Sequence, residues 1–182
     1  KVRARAKQIV GYASAKNLPK DAVTKMAKLR MVIDEWMESA ELDITAVQCW
    51  SAMQEYFGIV PCGVMSMMSD ALRSSACEVD VCGALGMHAL ALASQTPSFL
   101  LDWDNNYGSD PDKCVCFHCS NLPKSCFEKP RMDLQEVAAG IWGAEKTFGA
   151  MIGRIKPGAL SFASINTVDT EGVIAAYVGE GE

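Results

Sequence analysis

The chain has 182 residues and a formal net charge of -5, with 49% apolar and 21% charged residues. That composition is typical of a globular protein with a sizeable core and excludes a disordered chain. The acidic balance argues against nucleic acid as a main partner, because phosphate binding needs a concentrated basic face. No apolar run reaches the roughly 18 residues that a membrane span needs, so we also predict no membrane partner.

The eight cysteines lie inside apolar segments, such as 47-VQCW-50 and 60-VPCGV-64, rather than in loops. Cysteine in such segments behaves as a small apolar residue. Disulfides are rare in the reducing cytosol, so we predict free thiols and a cytoplasmic location.

Two helices are predicted at the start, over residues 2–16 and 20–41, separated at Asn17-Leu18-Pro19. In the second helix, apolar residues recur every three or four positions and form one stripe. That stripe consists of Met26, Leu29, Ile33 and Trp36.

Strands and helices then alternate. Residues 44–50 and 98–103 are predicted strands, and the helices between them are predicted over 51–57, 64–72 and 79–93. Such alternation is typical of an α/β fold with an open parallel sheet, of which this chain would hold a part.

The pattern changes near Ser94. Predicted strands over 147–156, 159–168 and 173–180 are separated by the turn signals Pro157-Gly158 and 169-DTEG-172. We therefore predict two units, an α/β part over 1–94 and a β-rich, antiparallel, barrel-like part over 95–182.

The stretch 74-SSACEVDVCGALG-86 places two acids, Glu78 and Asp80, among small and apolar residues. Acids are rarely buried without a partner. In one interpretation, Ser75 and Glu78 form the S-x-x-E capping box of a helix. In the other, Glu78 faces a positive charge such as a metal ion.

Asp102 closes the predicted strand 98–103, and open α/β sheets bind their ligands at such strand ends. The alternative is a turn-forming role, because Asp104, Asn105 and Asn106 follow.

His118 lies in 114-CVCFHC-119. Strand alternation would put Cys114, Cys116 and His118 on one side, with Phe117 and Cys119 on the other. A structural zinc site usually needs four ligands in paired knuckles, which one strand does not supply, so a zinc-binding module on the cysteines of 114–126 is only an alternative. A core histidine is another alternative for His118 and is our prediction for His88.

Glu78, Asp102 and His118 together offer two carboxylates and one imidazole. This set suits a hard divalent ion, Mn²⁺ or Mg²⁺, better than zinc held by thiolates. Such an ion could polarise a sugar carbonyl and hydroxyl while a carboxylate moves a proton between neighbouring carbons.

Three segments, 49–72, 76–108 and 117–125, resemble the L-fucose isomerase family and, more distantly, L-arabinose isomerase. The resemblance implies a metal-dependent aldose–ketose isomerase with a monosaccharide substrate of the L-fucose or D-arabinose type. Glu78 and Asp102 would ligate Mn²⁺, or Mg²⁺ or another divalent ion, and carry protons through an ene-diol intermediate. His118 resembles a strand histidine at the metal of the arabinose enzymes, and Asn121 and Trp103 are candidate sugar contacts, Trp103 alternatively packing.

The chain opens on a helical pattern without an initiator Met and closes just after a strand. We therefore expect an internal segment that joins the end of the central domain to the start of the C-terminal domain. The resemblance places a further metal-binding histidine beyond residue 182 and implies a homo-oligomer, a trimer or hexamer, for the full protein. A folded segment without activity of its own is the alternative function.

Overall fold

A computed structural model describes residues 1–118 and 121–182. Five α-helices, eight strands, a π-helical turn (Met53–Phe57) and two short 3-10 turns make up its regular structure. The helices are α1 (Val2–Tyr12), α2 (Lys20–Ser39), α3 (Cys62–Asp70), α4 (Val81–Ser94) and α5 (Glu136–Trp142). The strands are β1 (Thr45–Val47), β2 (Ser75–Cys77), β3 (Asp102–Asn106), β4 (Cys114–Phe117), β5 (Arg131–Leu134), β6 (Phe148–Ile152), β7 (Leu160–Val168) and β8 (Val173–Gly181).

The strands form four two-stranded sheets. β1 and β2 are parallel, with Thr45 opposite Ser75 and Val47 opposite Cys77. The pairs β3–β4, β5–β6 and β7–β8 are antiparallel. The predicted mixed α/β class is confirmed: a small parallel sheet with helices precedes antiparallel strands, which form no closed barrel within the described residues.

The main core lies between the first three helices and the segment after residue 121. Large apolar side chains of α1, α2 and α3 pack there against Leu122, Phe127, Met132 and Met151. Residues from both sides of position 94 therefore share one core, and the boundary between 94 and 95 stays a prediction. No helix in the described ranges is long and apolar enough to cross a bilayer.

Helix α2 follows Pro19 and buries a stripe close to the predicted one. Met26 and Ile33 are buried as expected, but Trp36 is 56% exposed and Met37 is only 1% exposed. Three full helical turns separate Met26 from Met37, whereas Trp36 lies about 80° round the helix from Met26. Trp36 therefore lies outside the buried stripe of α2, and Met37 takes its place.

The predicted strand over 98–103 is also wrong for most of its length. Residues 98–101 form no strand, and β3 begins at Asp102 and pairs with β4. The apolar side chains of the segment pack into the core instead, Phe99 and Leu101 on one side and Leu100 on another. Asp102 thus begins an antiparallel strand and does not end a parallel one.

Two elements in the second half differ from the predicted pattern. The sequence pattern does not predict β5, although it pairs along β6 from Arg131 opposite Ile152 to Leu134 opposite Phe148. The chain then forms α5, whose first turn is capped by Gln135, because its side-chain oxygen accepts the Ala138 N–H.

Asp34 joins three parts of the first half. This carboxylate is 5% exposed, and both of its oxygens accept from Arg30 Nε at 2.9 Å. Arg5 of α1 and Arg73, just before β2, each place a guanidinium nitrogen 3.1 Å from it. Asp34 therefore holds α1 and the approach to β2 against α2.

We predict that Asp34→Asn lowers the free energy of unfolding by about 3 kcal/mol, because it leaves three cations around a buried neutral group. Urea unfolding followed by circular dichroism measures this. The matched control is Glu35→Gln, an exposed neighbour on α2, which should stay within about 0.5 kcal/mol of the wild type. Equal effects of the two variants would contradict the assigned role of Asp34.

Candidate metal centre

The candidate centre lies at the carboxyl end of β2. Glu78 directly follows this strand, and Glu78 and Val79 both have left-handed backbones, with φ of 60° and 59°. Such conformations cost of order 1–3 kcal/mol in a residue other than glycine and cluster at functional sites. The turn is held by the Asp80 N–H, which donates to Cys77 O at 3.0 Å.

The capping-box interpretation of Glu78 is wrong. Ser75 belongs to β2, where its side chain accepts the Thr45 hydroxyl at 2.8 Å. Helix α4 is capped by Asp80, whose carboxylate accepts the Gly83 N–H at 2.7 Å. Asp80 is thus the helix cap. Glu78 is exposed, and its carboxylate accepts a hydrogen bond from Trp50 Nε1 at 3.3 Å.

His118 connects two of the predicted regions. Its Nδ1 lies 3.2 Å from Asp102 Oδ2, and its Nε2 lies 2.6 Å from Cys77 Sγ. The His118 side chain is 2% exposed, whereas that of Asp102 is 58% exposed. The predicted pair Asp102 and His118 is therefore in contact at the end of β2.

Glu78 lies in a different donor group. Ligand atoms of Cys49, Cys77 and Glu78 all lie within 4.8 Å of one another. Across residues 1–118 and 121–182, this is the one group of three or more such donors at that spacing. The predicted trio is thus split: Asp102 touches His118, Glu78 groups with two cysteines, and Cys77 stands between them.

The sequence interpretation did not single out Cys49 and Cys77. Cys49 comes two residues after β1, and Cys77 ends β2, so the parallel pairing places both at one edge. Donation by the Cys77 thiol lowers the pKa of Cys49, helped by the Glu78 N–H and opposed by burial and by the charge of Glu78. Strand pairing was the signal that could have found them.

The two candidate sugar-contact residues differ in burial. Asn121 is 2% exposed, and its Nδ2 donates to Ser75 O at 3.1 Å. Its Oδ1 has no hydrogen-bond partner within the described ranges. Trp103 is 61% exposed and meets the ring of Phe162 edge-on, with centroids 5.4 Å apart. Sugar contact by either residue stays a prediction.

The cysteines of 114–126 form no comparable centre in the part of this segment that the structure describes. The sulfurs of Cys114 and Cys116 lie 3.6 Å apart, on one side of β4 as alternation predicts. No third donor joins them at metal-binding distance among the described residues. Cys119, also part of this alternative, lies outside the described residues.

His88 differs from a satisfied core histidine. It is half-buried on α4, and its buried Nδ1 has no hydrogen-bond partner in the part of the chain that the structure describes. His118, by contrast, has a polar partner at each ring nitrogen.

Hydrogen bonds fix the segment after His118 to the helices. The Ser66 hydroxyl of α3 donates to Leu122 O at 2.5 Å. Tyr12 of α1 donates to Ser66 O at 3.1 Å and accepts the Lys124 N–H at 3.0 Å. Burial raises the pKa of Tyr12 to about 12. This network holds the chain that leads away from His118.

Residues 116–182 match the family described as the L-fucose isomerase C-terminal domain. The predicted family resemblance is confirmed over this stretch. The match begins on β4, so it includes His118 and Asn121.

Curated relatives overlap a longer part of the chain. Sulfoquinovose isomerases of Priestia aryabhattai and Priestia megaterium are each 29% identical over 114 residues, which is 62% of this chain and 24% of either relative. A sulfoquinovose isomerase of a Clostridium species is 29% identical over 86 residues, 47% of this chain and 19% of that protein. The chain spans about a quarter of the length of the curated relatives it matches.

We predict that Tyr12→Phe destabilises the chain by about 1–3 kcal/mol, because the half-buried Lys124 N–H and the Ser66 O lose their partner. Tyr107→Phe is the control, since that side chain is 62% exposed. Unfolding in urea at neutral pH measures both, and equal stability of Tyr12→Phe and the wild type would contradict the network.

The raised pKa of Tyr12 predicts that the stability of the chain falls at alkaline pH. This pKa is raised from 10.0 to about 12 in the folded chain, so the stability that Tyr12 contributes is full below pH 10. That stability is lost as the pH rises through the pKa of Tyr12 in the folded chain, by up to about 1.4 kcal/mol per pH unit. Unfolding between pH 9 and 12 should therefore show a shallower fall in Tyr12→Phe than in the wild type.

Proposed function

We propose that this chain is a segment of an aldose–ketose isomerase of the L-fucose type. The observation that carries the proposal is the meeting of Asp102, His118 and the Cys77–Glu78 turn at the carboxyl end of β2. The family match over 116–182 and the relatives named sulfoquinovose isomerase support the same reaction class.

Each residue has a role in this proposal. Interconversion of an aldose and a ketose moves a proton between C1 and C2, which a carboxylate can accept and return. Asp102 is an exposed acid beside His118, and Glu78 is an exposed acid beside Cys77, which contacts the same histidine. We therefore assign the proton transfers to these two acids. His118 holds the Asp102 carboxylate through Nδ1.

A divalent ion, Mn²⁺ or alternatively Mg²⁺, is part of the proposal. Glu78, Asp102 and His118 fit such an ion in donor type, since two carboxylates and an imidazole are ligands that hard cations accept. The ion would polarise the sugar carbonyl and hydroxyl oxygens. The donors Asp102 and His118 are already in contact.

The substrate belongs to the whole protein. The family name favours L-fucose or a related aldose such as D-arabinose, and the relatives' name adds sulfoquinovose. A homo-oligomer, trimeric or hexameric, and a cytoplasmic location complete the proposal. Because the chain spans about a quarter of its relatives, we expect the 182 residues alone to fold without isomerase activity.

We predict that the 182-residue chain binds Mn²⁺ saturably and that Asp102→Asn weakens binding. Loss of a metal ligand should lower the affinity for the ion by more than the roughly 10- to 100-fold that is typical when only a hydrogen-bond partner of a ligand is lost. Electron paramagnetic resonance of free Mn²⁺ measures this. Asp104→Asn is the control, because it removes an exposed acid of the same strand.

Turnover is tested in a protein of the relatives' length that carries this segment. Ketose formation from L-fucose, D-arabinose and sulfoquinovose should require Mn²⁺ and should fall by about 10²- to 10⁴-fold in Asp102→Asn. Undiminished turnover in that variant would exclude Asp102 as a proton carrier.

A further inference from the structure

The donor group at the end of β2 contains two sulfur atoms that the isomerase proposal does not use. Cys49 is 3% exposed and Cys77 is fully buried. Their sulfurs and a Glu78 oxygen lie within 4.8 Å of one another. Donors around one tetrahedral zinc ion lie about 3.3–3.8 Å apart, given metal–ligand bonds of about 2.0–2.3 Å. The 4.8 Å limit on their separations therefore lets the three donors reach one ion after a small shift.

His118 contacts one member of this group, Cys77, and is not among the three donors that share the 4.8 Å spacing. His118 Nε2 lies 2.6 Å from Cys77 Sγ, while Nδ1 lies 3.2 Å from Asp102 Oδ2. Metal-binding histidines usually give their second ring nitrogen to a carboxylate, which fixes the tautomer and the ring orientation. Asp102 occupies that outer position here, so Nε2 is the nitrogen presented to Cys77 Sγ.

The donor types select the ion. Thiolate sulfur favours zinc and Cu(I), whereas Mn²⁺ and Mg²⁺ prefer carboxylate, carbonyl and water oxygens. Two cysteines, one histidine and one carboxylate are ligands found at tetrahedral zinc.

We propose that Cys49, Cys77 and Glu78 form a binding site for a thiophilic cation of the Zn²⁺ class. His118 completes the site through Nε2 when the ion replaces the direct 2.6 Å contact with Cys77 Sγ, and Asp102 is the positioning residue of His118. Binding displaces the thiol protons of the two cysteines into solvent and leaves His118 neutral. The site goes beyond the isomerase proposal and shares Glu78 and His118 with it. Zn²⁺ bound here therefore competes with a hard ion bound by Glu78, Asp102 and His118.

Co²⁺ is the probe, because Co²⁺ bound by thiolate gives an intense charge-transfer band in the near ultraviolet. The reduced 182-residue chain should show this band at one equivalent of Co²⁺ and lose it when Zn²⁺ is added. Cys49→Ser and Cys77→Ser should abolish the band. Cys116→Ser is the matched control and should keep it, although Cys116 also has a cysteine neighbour, with the two sulfurs 3.6 Å apart.

The role of Asp102 has a separate readout. Asp102→Asn should keep the cobalt band but weaken Zn²⁺ binding by about 10- to 100-fold, as expected for loss of an outer partner of a ligating histidine. A band that disappears in this variant would contradict its role as a positioning residue.

X-ray absorption on the zinc-loaded wild type avoids variants that fail to fold. Two sulfur ligands at about 2.3 Å are expected, with nitrogen or oxygen completing the shell. A shell of nitrogen and oxygen alone, or a cobalt band lost in Cys116→Ser and kept in Cys49→Ser, would overturn the proposal.

Each of the two metal proposals can be refuted without refuting the other. Cys49→Ser should lose the cobalt band and keep Mn²⁺ binding, because Cys49 is no ligand of the hard ion. A wild type that gives the cobalt band without binding Mn²⁺ would refute the manganese site and support the thiolate site. The reverse result would refute the thiolate site alone.

Discussion

The hydrogen bonds that tie residues 121–124 to the helices and to β2 are the interactions on which the candidate centre depends. Ser66 binds Leu122 O, Tyr12 binds the Lys124 N–H, and Asn121 binds Ser75 O, all from buried or half-buried positions. Each bond adds only about 1 kcal/mol net, but an unmade one would leave a buried polar group. Because His118 precedes this docked segment by a few residues of chain, the docking also limits where its ring can lie.

The parallel pairing of β1 and β2 is the second constraint. It brings the chain after Val47 and the chain after Cys77 to one edge, and the Val79 N–H donates to Val47 O across it at 3.4 Å. The turn that follows uses left-handed backbone at Glu78 and Val79. Such strain persists only where surrounding contacts determine it. Here the left-handed turn ends β2 before Glu78, and Asp80 rather than Glu78 caps α4.

Sequence periodicity predicts the elements better than their partners. Helix α2 and the β7–β8 hairpin lie close to the predicted ranges, because their signals are local. The same kind of signal predicts a strand over 98–101, yet the apolar side chains of that segment pack into the core without a ladder partner. The S-x-x-E pattern at Ser75 likewise matches a local rule, but pairing with β1 takes that residue into the sheet. Tertiary pairing decides between such local alternatives.

The centre divides its donors by depth. The carboxylates of Glu78 and Asp102 are exposed, whereas the sulfur of Cys77 and the ring of His118 are buried. The family resemblance selects the carboxylates and the histidine, but a cysteine in an apolar segment has the same sequence pattern whether it packs or binds. Only the fold places Cys49 beside Cys77. The carboxylate donors therefore face solvent and the Cys77 thiol faces the core, so under our two proposals a hard cation would use the outer donors and a thiophilic cation the inner ones.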